Sequence, residues 1–118
     1  MANVIDYVEF AVDDLEAAKA FYAAALGWAF NDYGPDYAGI KHPTKPGEEI
    51  GGLSPHAASA RGDGVLALAR TDDVDASQAS VLAAGGRVTV EMHEYPGGRR
   101  FVFADPWGNV IGVYQPSE

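Results

Sequence analysis

The chain has 118 residues, no cysteine and a formal net charge of −9. This length suits one domain with a real hydrophobic core, and the lack of cysteine excludes disulfides, thiolate metal sites and a cysteine nucleophile. The negative charge disfavours binding to phosphate backbones or anionic lipid, and no segment approaches the ~20 apolar residues of a membrane span. We therefore expect a cytoplasmic protein that binds neither nucleic acid nor membrane.

An internal repeat organises the sequence. Residues 7–27 (YVEFAVDDLEAAKAFYAAALG) and residues 66–86 (LALARTDDVDASQASVLAAGG) share seven identical positions at a constant offset of 59. An Asp-Asp pair and a closing glycine are in register in both copies. Because the offset is half the chain length, the repeat predicts two similar modules.

Each copy begins with the pattern of a strand followed by a helix. In residues 4–12, most apolar side chains fall on one parity while Tyr7 and Glu9 fall on the other, which predicts a strand with two different faces. Asp13 or Asp14 can then cap the helix that follows.

The helix itself shows an apolar stripe and a stop signal. Apolar residues recur at helical spacing between Leu15 and Leu26, and Gly27 is the expected C-terminal stop. The second copy repeats this plan, with Asp72 or Asp73 as the cap of a helix over 74–84.

Three short strand candidates follow each helix, separated by turns rich in proline and glycine. They lie near 28–32, 37–42 and 49–53 in the first module and near 87–93, 99–104 and 110–114 in the second. The turn-rich stretch 55–63 is the predicted linker between modules at 1–54 and 64–118. The predicted fold is therefore α+β, with two tandem βαβββ modules.

Three stretches carry a resemblance to a known family. Residues 12–28 (VDDLEAAKAFYAAALGW), 74–88 (VDASQASVLAAGGRV) and 103–115 (FADPWGNVIGVYQ) resemble the glyoxalase/bleomycin resistance protein/dioxygenase, or vicinal oxygen chelate (VOC), superfamily. The ADP-x-GN turn, coming after an Asp-Asp, helix and Gly-Gly segment, is the most specific part, and the resemblance covers essentially the whole chain. It implies a curved mixed sheet around a cleft, and a homodimer.

The resemblance also identifies where a metal would be held. Metal enzymes of the superfamily take His, Glu or Gln ligands from the first and last strands of the two modules. Carried over one at a time, these positions fall on Tyr7, Gly52, Leu66 and Gly112. Glycine and leucine side chains offer no ligand atom, and a neutral tyrosine is a poor ligand. We therefore expect no metal and no other cofactor.

Other side chains favour a ligand-binding cleft, each with an alternative. Glu9 is an unusual residue for a central strand and could bind a ligand or be solvated. Arg70 could meet Glu9 or an anionic ligand group, or be a surface charge. Aromatic rings could line the cleft or fill the core or a dimer interface, and Trp28 is expected in one of the latter two places. The predicted ligand-binding residues are Tyr7, Glu9, Tyr37, Leu66, Arg70, Tyr95, Trp107 and Tyr114, and no catalytic residue is assigned.

Two functions remain open on this basis. The first is a metal-free protein that binds a small aromatic or apolar organic molecule in its cleft, as drug-sequestering members of the superfamily do. The alternative is a metal-independent lyase or isomerase in which Glu9 or His93 transfers a proton. A third interpretation is an accessory domain that only dimerises.

Overall fold

A computed structural model describes residues 5–55 and 66–117, and within them the elements follow the order predicted for two βαβββ modules. Residues 56–65, which include nearly all of the predicted linker, lie outside the described residues. The first module contains β1 (Val8–Ala11), α1 (Leu15–Leu26), β2 (Phe30–Asp32), β3 (Ala38–Lys41) and β4 (Glu49–Ser54). The second contains β5 (Ala67–Arg70), α2 (Val74–Ala84), β6 (Arg87–Tyr95), β7 (Gly98–Ala104) and β8 (Val110–Pro116).

The chain divides into two compact units, and each has its own four-stranded sheet. The strand order is β1-β4-β3-β2 in the first sheet and β5-β8-β7-β6 in the second. In both sheets the module's first strand runs parallel to its last strand, while the other pairs are antiparallel. The prediction of an α+β fold with two βαβββ modules is confirmed.

Helix α1 begins and ends at residues with cap geometry. The Asp14 carboxylate accepts a hydrogen bond from the Ala17 N–H at 3.0 Å, so Asp14 rather than Asp13 is the N-cap. Gly27 ends the helix with φ of 73°, a left-handed conformation that favours glycine.

The aromatic core of the first unit joins this helix to its sheet. The Tyr22 ring of α1 is fully buried and stacks on Trp28 at 4.7 Å between centroids. Phe10 of β1 packs 6.2 Å from the Tyr22 ring and 6.0 Å from the Trp28 ring. The half-buried Trp28 thus packs between the helix and the sheet, which is one of the two places expected for it.

Helix α2 repeats the arrangement in the second unit. Asp73 is its N-cap, accepting from the Ala76 N–H at 3.0 Å, and Gly85 ends it with φ of 105°. Its buried Val74 and Val81 belong to a core that includes the inward side chains of β7 and β8. These side chains are Phe101, Phe103, Ile111 and Val113.

The strands of the second sheet run further than the sequence pattern predicted. Strand β6 continues to Tyr95 because Tyr95 still pairs with Gly98 across the hairpin to β7. Strand β8 likewise continues to Pro116, which lies opposite Gly98. Within the described residues, neither helix is long and apolar enough to cross a membrane.

Candidate functional site

One side of the first sheet carries polar side chains around two glycines. Glu9 lies opposite Gly52, Gly52 lies opposite Gly39, and Gly39 lies opposite Asn31, so these positions share one face. The other face carries Phe10 and the aromatic core. We call the polar side the tyrosine face, and its functional side chains are Tyr7, Glu9, Asn31, Tyr33, Tyr37 and Glu49.

Three side chains of this face form a directional chain of hydrogen bonds. The Tyr37 hydroxyl donates its single proton to Glu9 Oε2 at 2.8 Å. Because that proton is used, the 2.6 Å contact between the two phenol oxygens is a bond from Tyr7 to Tyr37. The proton order therefore runs from Tyr7 through Tyr37 to the Glu9 carboxylate.

A second carboxylate, Glu49, has its own donors. It accepts from the Tyr33 hydroxyl at 2.7 Å and from Asn31 Nδ2 at 2.9 Å. The Tyr7 hydroxyl lies 3.5 Å from its other oxygen, at the limit of a hydrogen bond. Hydrogen bonds from Tyr33 and then Asn31 lower the pKa of Glu49 below its usual range, so the carboxylate is ionised at neutral pH.

The phenols of this face are held in their neutral form. Burial is the largest cause that raises the pKa of Tyr7. Burial also raises the pKa of Tyr37, reinforced by the hydrogen bond that Tyr37 donates to Glu9. The hydrogen bond to Glu49 raises the pKa of Tyr33. At pH 7 the face therefore presents three neutral phenols and the ionised Glu49.

Glycine makes the close approach of these groups possible. A Cβ on Gly52 would overlap the Tyr37 phenol and would lie 2.9 Å from the Tyr7 hydroxyl oxygen. A Cβ on Gly39 would overlap the Glu49 carboxylate. Only hydrogen at both positions leaves room for the side chains to lie across the strands.

The corresponding side of the second sheet combines apolar and cationic groups. Leu68 lies opposite Gly112, and two residues further along Arg70 lies opposite Tyr114. Tyr114 in turn lies opposite Arg100, whose guanidinium carbon is 4.9 Å from the centre of the Tyr95 ring. We call this side the arginine face, with Leu66, Leu68, Arg70, Tyr95, Arg100 and Tyr114 as its main side chains.

The positions carried over from metal enzymes do not fit a divalent metal. Gly52 lies beneath the Tyr7 and Tyr37 hydroxyls, and a Cβ on Gly112 would overlap Leu68 and lie 3.7 Å from Leu66. The second module thus presents alkyl side chains where ligand atoms would be needed. In the described part of the chain, no group of three or more histidine and carboxylate side chains is placed to hold a metal.

The structure brings the predicted binding residues together in two groups. Three of them, Tyr7, Glu9 and Tyr37, form the hydrogen-bonded chain of the tyrosine face. Four others lie on the arginine face, namely Leu66, Arg70, Tyr95 and Tyr114. Trp107 lies on neither face, because it belongs to the turn between β7 and β8, where its backbone N–H donates to Asp105 at 2.9 Å.

Sequence reasoning missed Glu49, Asn31 and Arg100. The register between β3 and β4 shifts at Ile40 and Lys41, so simple alternation along β4 does not reveal the direction of Glu49. Asn31 lies in a strand of only three residues, too short for a clear alternation. Arg100 precedes Phe101 in a strand where Phe101 and Phe103 are buried. This alternation was the available signal that Arg100 lies on the opposite face from the core.

A family profile and a curated relative point to the same protein family. A family profile of the Glyoxalase/Bleomycin resistance protein/Dioxygenase superfamily matches residues 4–113. CFP32 of Mycobacterium bovis, provisionally named a glyoxylase, is 30% identical over 117 residues, which cover 93% of this chain and 44% of CFP32. The chain therefore spans less than half the length of this curated relative.

Solved structures share the whole fold. A family enzyme from Burkholderia phytofirmans PsJN superposes with a TM-score of 0.80 at 21% identity, covering 98% of this chain and 100% of that one. TnmS3, an antibiotic binding protein from Streptomyces sp. CB03234, superposes with a TM-score of 0.71 at 30% identity, covering 98% of both chains.

Proposed function

We propose that this chain, which belongs to the Glyoxalase/Bleomycin resistance protein/Dioxygenase superfamily, binds a small organic molecule without a metal. The observation that carries the proposal is the exposed hydrogen-bonded chain from Tyr7 through Tyr37 to Glu9. A ligand hydroxyl or amine could donate to Glu9, while an aromatic or apolar body contacts the phenol rings. The similarity to TnmS3 supports this choice, since that relative binds an antibiotic.

The proposed binding set is the one predicted from the sequence, extended by the structure. On the tyrosine face it comprises Tyr7, Glu9 and Tyr37, with Tyr33 and Glu49 added, and on the arginine face it comprises Leu66, Arg70, Tyr95 and Tyr114. Trp107, which lies on neither face, stays a prediction of the sequence. Tyr33 supports the extension because it is 58% exposed and its ring lies 6.1 Å from the Tyr37 ring at an angle of 46°. Two tilted rings at this spacing suit a flat ligand that contacts both.

A thermal-shift screen with aromatic drugs and metabolites tests the proposal. A ligand present at about 100 times its Kd stabilises a protein by about 2.7 kcal/mol, a readily measured rise in Tm. The screen is repeated with Glu9→Gln and Tyr37→Phe, which remove a charge and a hydroxyl while keeping the side-chain shape. Glu48→Gln is the matched control, because Glu48 is an exposed neighbour of Glu49 and is not a member of the hydrogen-bonded chain.

The expected result is at least one compound whose affinity falls about tenfold or more in the two site variants and is unchanged in Glu48→Gln. Tenfold corresponds to the loss of one hydrogen bond to a charged group. A flat response across the library would contradict the proposal, and so would equal losses in the site variants and the control.

The second candidate is a metal-independent lyase or isomerase, and the direction of two hydrogen bonds favours keeping it. Glu9 accepts a hydrogen bond from the Tyr37 hydroxyl, which is itself hydrogen-bonded to Tyr7, so the carboxyl already lies at the end of a path for a proton. His93 Nδ1 lies 2.9 Å from the Glu91 carbonyl, which can only accept, so the neutral ring leaves Nε2 as a base. Either group could move a proton on a carbon acid.

Proton exchange distinguishes this enzyme from a binding protein. Candidate hydroxy and keto acids are incubated with the protein in deuterium oxide, and loss of their C–H signals is followed by NMR. An enzyme of this class gives exchange that disappears in Glu9→Gln or in His93→Ala. Exchange that is equal in both variants and the wild type would remove these residues from the reaction.

We also propose that two copies form a homodimer in the cytoplasm, with no nucleic-acid or membrane partner. The family resemblance supports the dimer, and the net charge of −9 disfavours anionic partners. Light scattering should give twice the chain mass of 12.5 kDa. A monomer at micromolar concentration, or retention on DNA or anionic vesicles, would contradict this part of the proposal.

A further inference from the structure

The arginine face carries two cations without an ion-pair partner among residues 5–55 and 66–117. Arg70 of β5 and Arg100 of β7 lie on either side of Tyr114 in one cross-strand row. Strands are spaced by ~4.8 Å, so the two Cα atoms are about 10 Å apart. Two extended arginine side chains can therefore converge on one small group above the Tyr114 ring.

Arg100 is held on this face by an aromatic ring of the neighbouring strand β6. Its guanidinium carbon lies 4.9 Å from the centre of the Tyr95 ring, a cation–π contact that restricts the side chain. Its Nε is buried and has no hydrogen-bond partner in the described part of the chain. Because buried N–H groups are nearly always paired, an acceptor is expected here.

An apolar surface adjoins this row. Two residues along the strands, Leu68 lies opposite Gly112, Gly112 opposite Val102 and Val102 opposite Val90. Leu66, Leu68 and Val90 are 40%, 45% and 44% exposed, which is unusual for neighbouring large apolar residues. Gly112 lets Leu68 lie across β8, because a Cβ there would overlap it.

We propose that the arginine face binds a carboxylate attached to an apolar or aromatic body. The carboxylate would lie between Arg70 and Arg100, where planar guanidinium groups match its two oxygens. The body would lie over Leu66, Leu68 and Val90. This inference rests on the proposed function and names the class of ligand.

Two probes of equal shape test the inference, 2-naphthoate and its uncharged analogue 2-naphthamide. Their affinities are measured by calorimetry for the wild type, Arg70→Gln, Arg100→Gln and the control Arg87→Gln. Arg87 is also an exposed arginine of this sheet, opposite Ala104, so its loss changes the net charge equally. Melting curves confirm that each variant is folded, and Arg100→Lys tests the need for a planar fork.

The expected result is that naphthoate binds the wild type at least about tenfold more tightly than naphthamide. Arg70→Gln and Arg100→Gln should bind the two probes with about equal affinity. The preference for naphthoate should be intermediate in Arg100→Lys and unchanged in Arg87→Gln. Equal binding of the two probes, absence of naphthoate binding, or a preference that survives both substitutions would overturn the inference.

Carboxylate recognition is distinguishable both from a general failure to bind ligands and from a role of the arginines in dimerisation. The proposed function fails when no compound in the broad screen binds, whereas the present inference fails when compounds bind without preferring a carboxylate. Light scattering in low and high salt is recorded for the same variants. A loss of dimer mass in Arg70→Gln and Arg100→Gln, with naphthoate binding unaffected, would assign the arginines to an interface between copies and overturn the inference.

Discussion

Two adjacent glycines of β4 should respond in different ways to substitution by alanine. The three atoms nearest to a Cβ on Gly52 belong to the phenol ends of Tyr37 and Tyr7, which can move without the backbone. A Cβ on Gly51 would overlap the backbone carbonyl oxygen of Val8 on the neighbouring strand. The first substitution should therefore change the tyrosine face, while the second should disturb the pairing of β1 with β4.

The magnitudes follow from what each substitution displaces. Gly52→Ala removes two hydrogen bonds of partly exposed phenols, about 0.5 kcal/mol each, and alanine returns about 0.4–1 kcal/mol through a less flexible unfolded chain. The net change is below about 1 kcal/mol. Gly51→Ala forces backbone movement in a packed sheet, which costs about 1–3 kcal/mol.

Melting curves convert these values into temperatures. An unfolding entropy of about 2.1 cal/mol/K per residue gives about 0.25 kcal/mol/K for 118 residues, or about 4 °C in Tm per kcal/mol. We expect a fall of less than about 4 °C for Gly52→Ala and of about 4–12 °C for Gly51→Ala. The same samples are titrated with the best compound from the screen, which Gly52→Ala should weaken. An equal loss of Tm in both variants, or unchanged affinity in Gly52→Ala, would show that the two glycines do not have these separate roles.

Three further predictions concern single hydrogen-bonded groups. Tyr33→Phe should raise the pKa of Glu49 toward its usual range, because the Tyr33 hydrogen bond is the largest cause of the lowered value. The ionised Glu49 carboxylate stabilises the fold above its usual pKa, and this stability is lost as the pH falls through its lowered pKa. In Tyr33→Phe the loss should therefore occur at a higher pH. An NMR titration that gives Glu49 the same pKa in the variant and the wild type would contradict this prediction. Asp73→Ala should lower stability by about 1 kcal/mol through loss of the helix cap, whereas Asp72→Ala should have little effect in denaturant unfolding, and equal effects would argue against the cap. Asp105→Ala should cost about 2–3 kcal/mol, because this buried carboxylate accepts three hydrogen bonds inside its turn, and a Tm fall below about 2 °C would show that the turn does not need it.

The sequence was sufficient for the elements of the fold because local signals agreed with each other. Cap carboxylates, apolar stripes and closing glycines bounded both helices correctly, and the repeat placed the second module. Strand ends were less predictable, since β6 ends where its hairpin closes at Gly98 rather than where its pattern fades. Such ends depend on cross-strand pairing, which a single segment of sequence does not contain.

The site was predictable only where alternation along a strand holds. Parity correctly grouped Tyr7 with Glu9, and Leu66 with Arg70. The direction of Glu49 depends on the register shift between β3 and β4, and that shift is a property of two paired strands. The Tyr37 hydroxyl reaches Glu9 across Gly52, a contact that requires the order of three strands to be known.

The proposed function depends above all on metal-independent binding at the tyrosine face. A calorimetric titration of the best compound from the screen, in the presence of EDTA and with wild type and Tyr37→Phe compared, measures this binding directly. We predict the same wild-type affinity with and without EDTA, and binding weaker by about tenfold in the variant. Wild-type affinity that disappears in EDTA and returns with added Zn²⁺, Ni²⁺ or Mn²⁺ would contradict metal-independent binding.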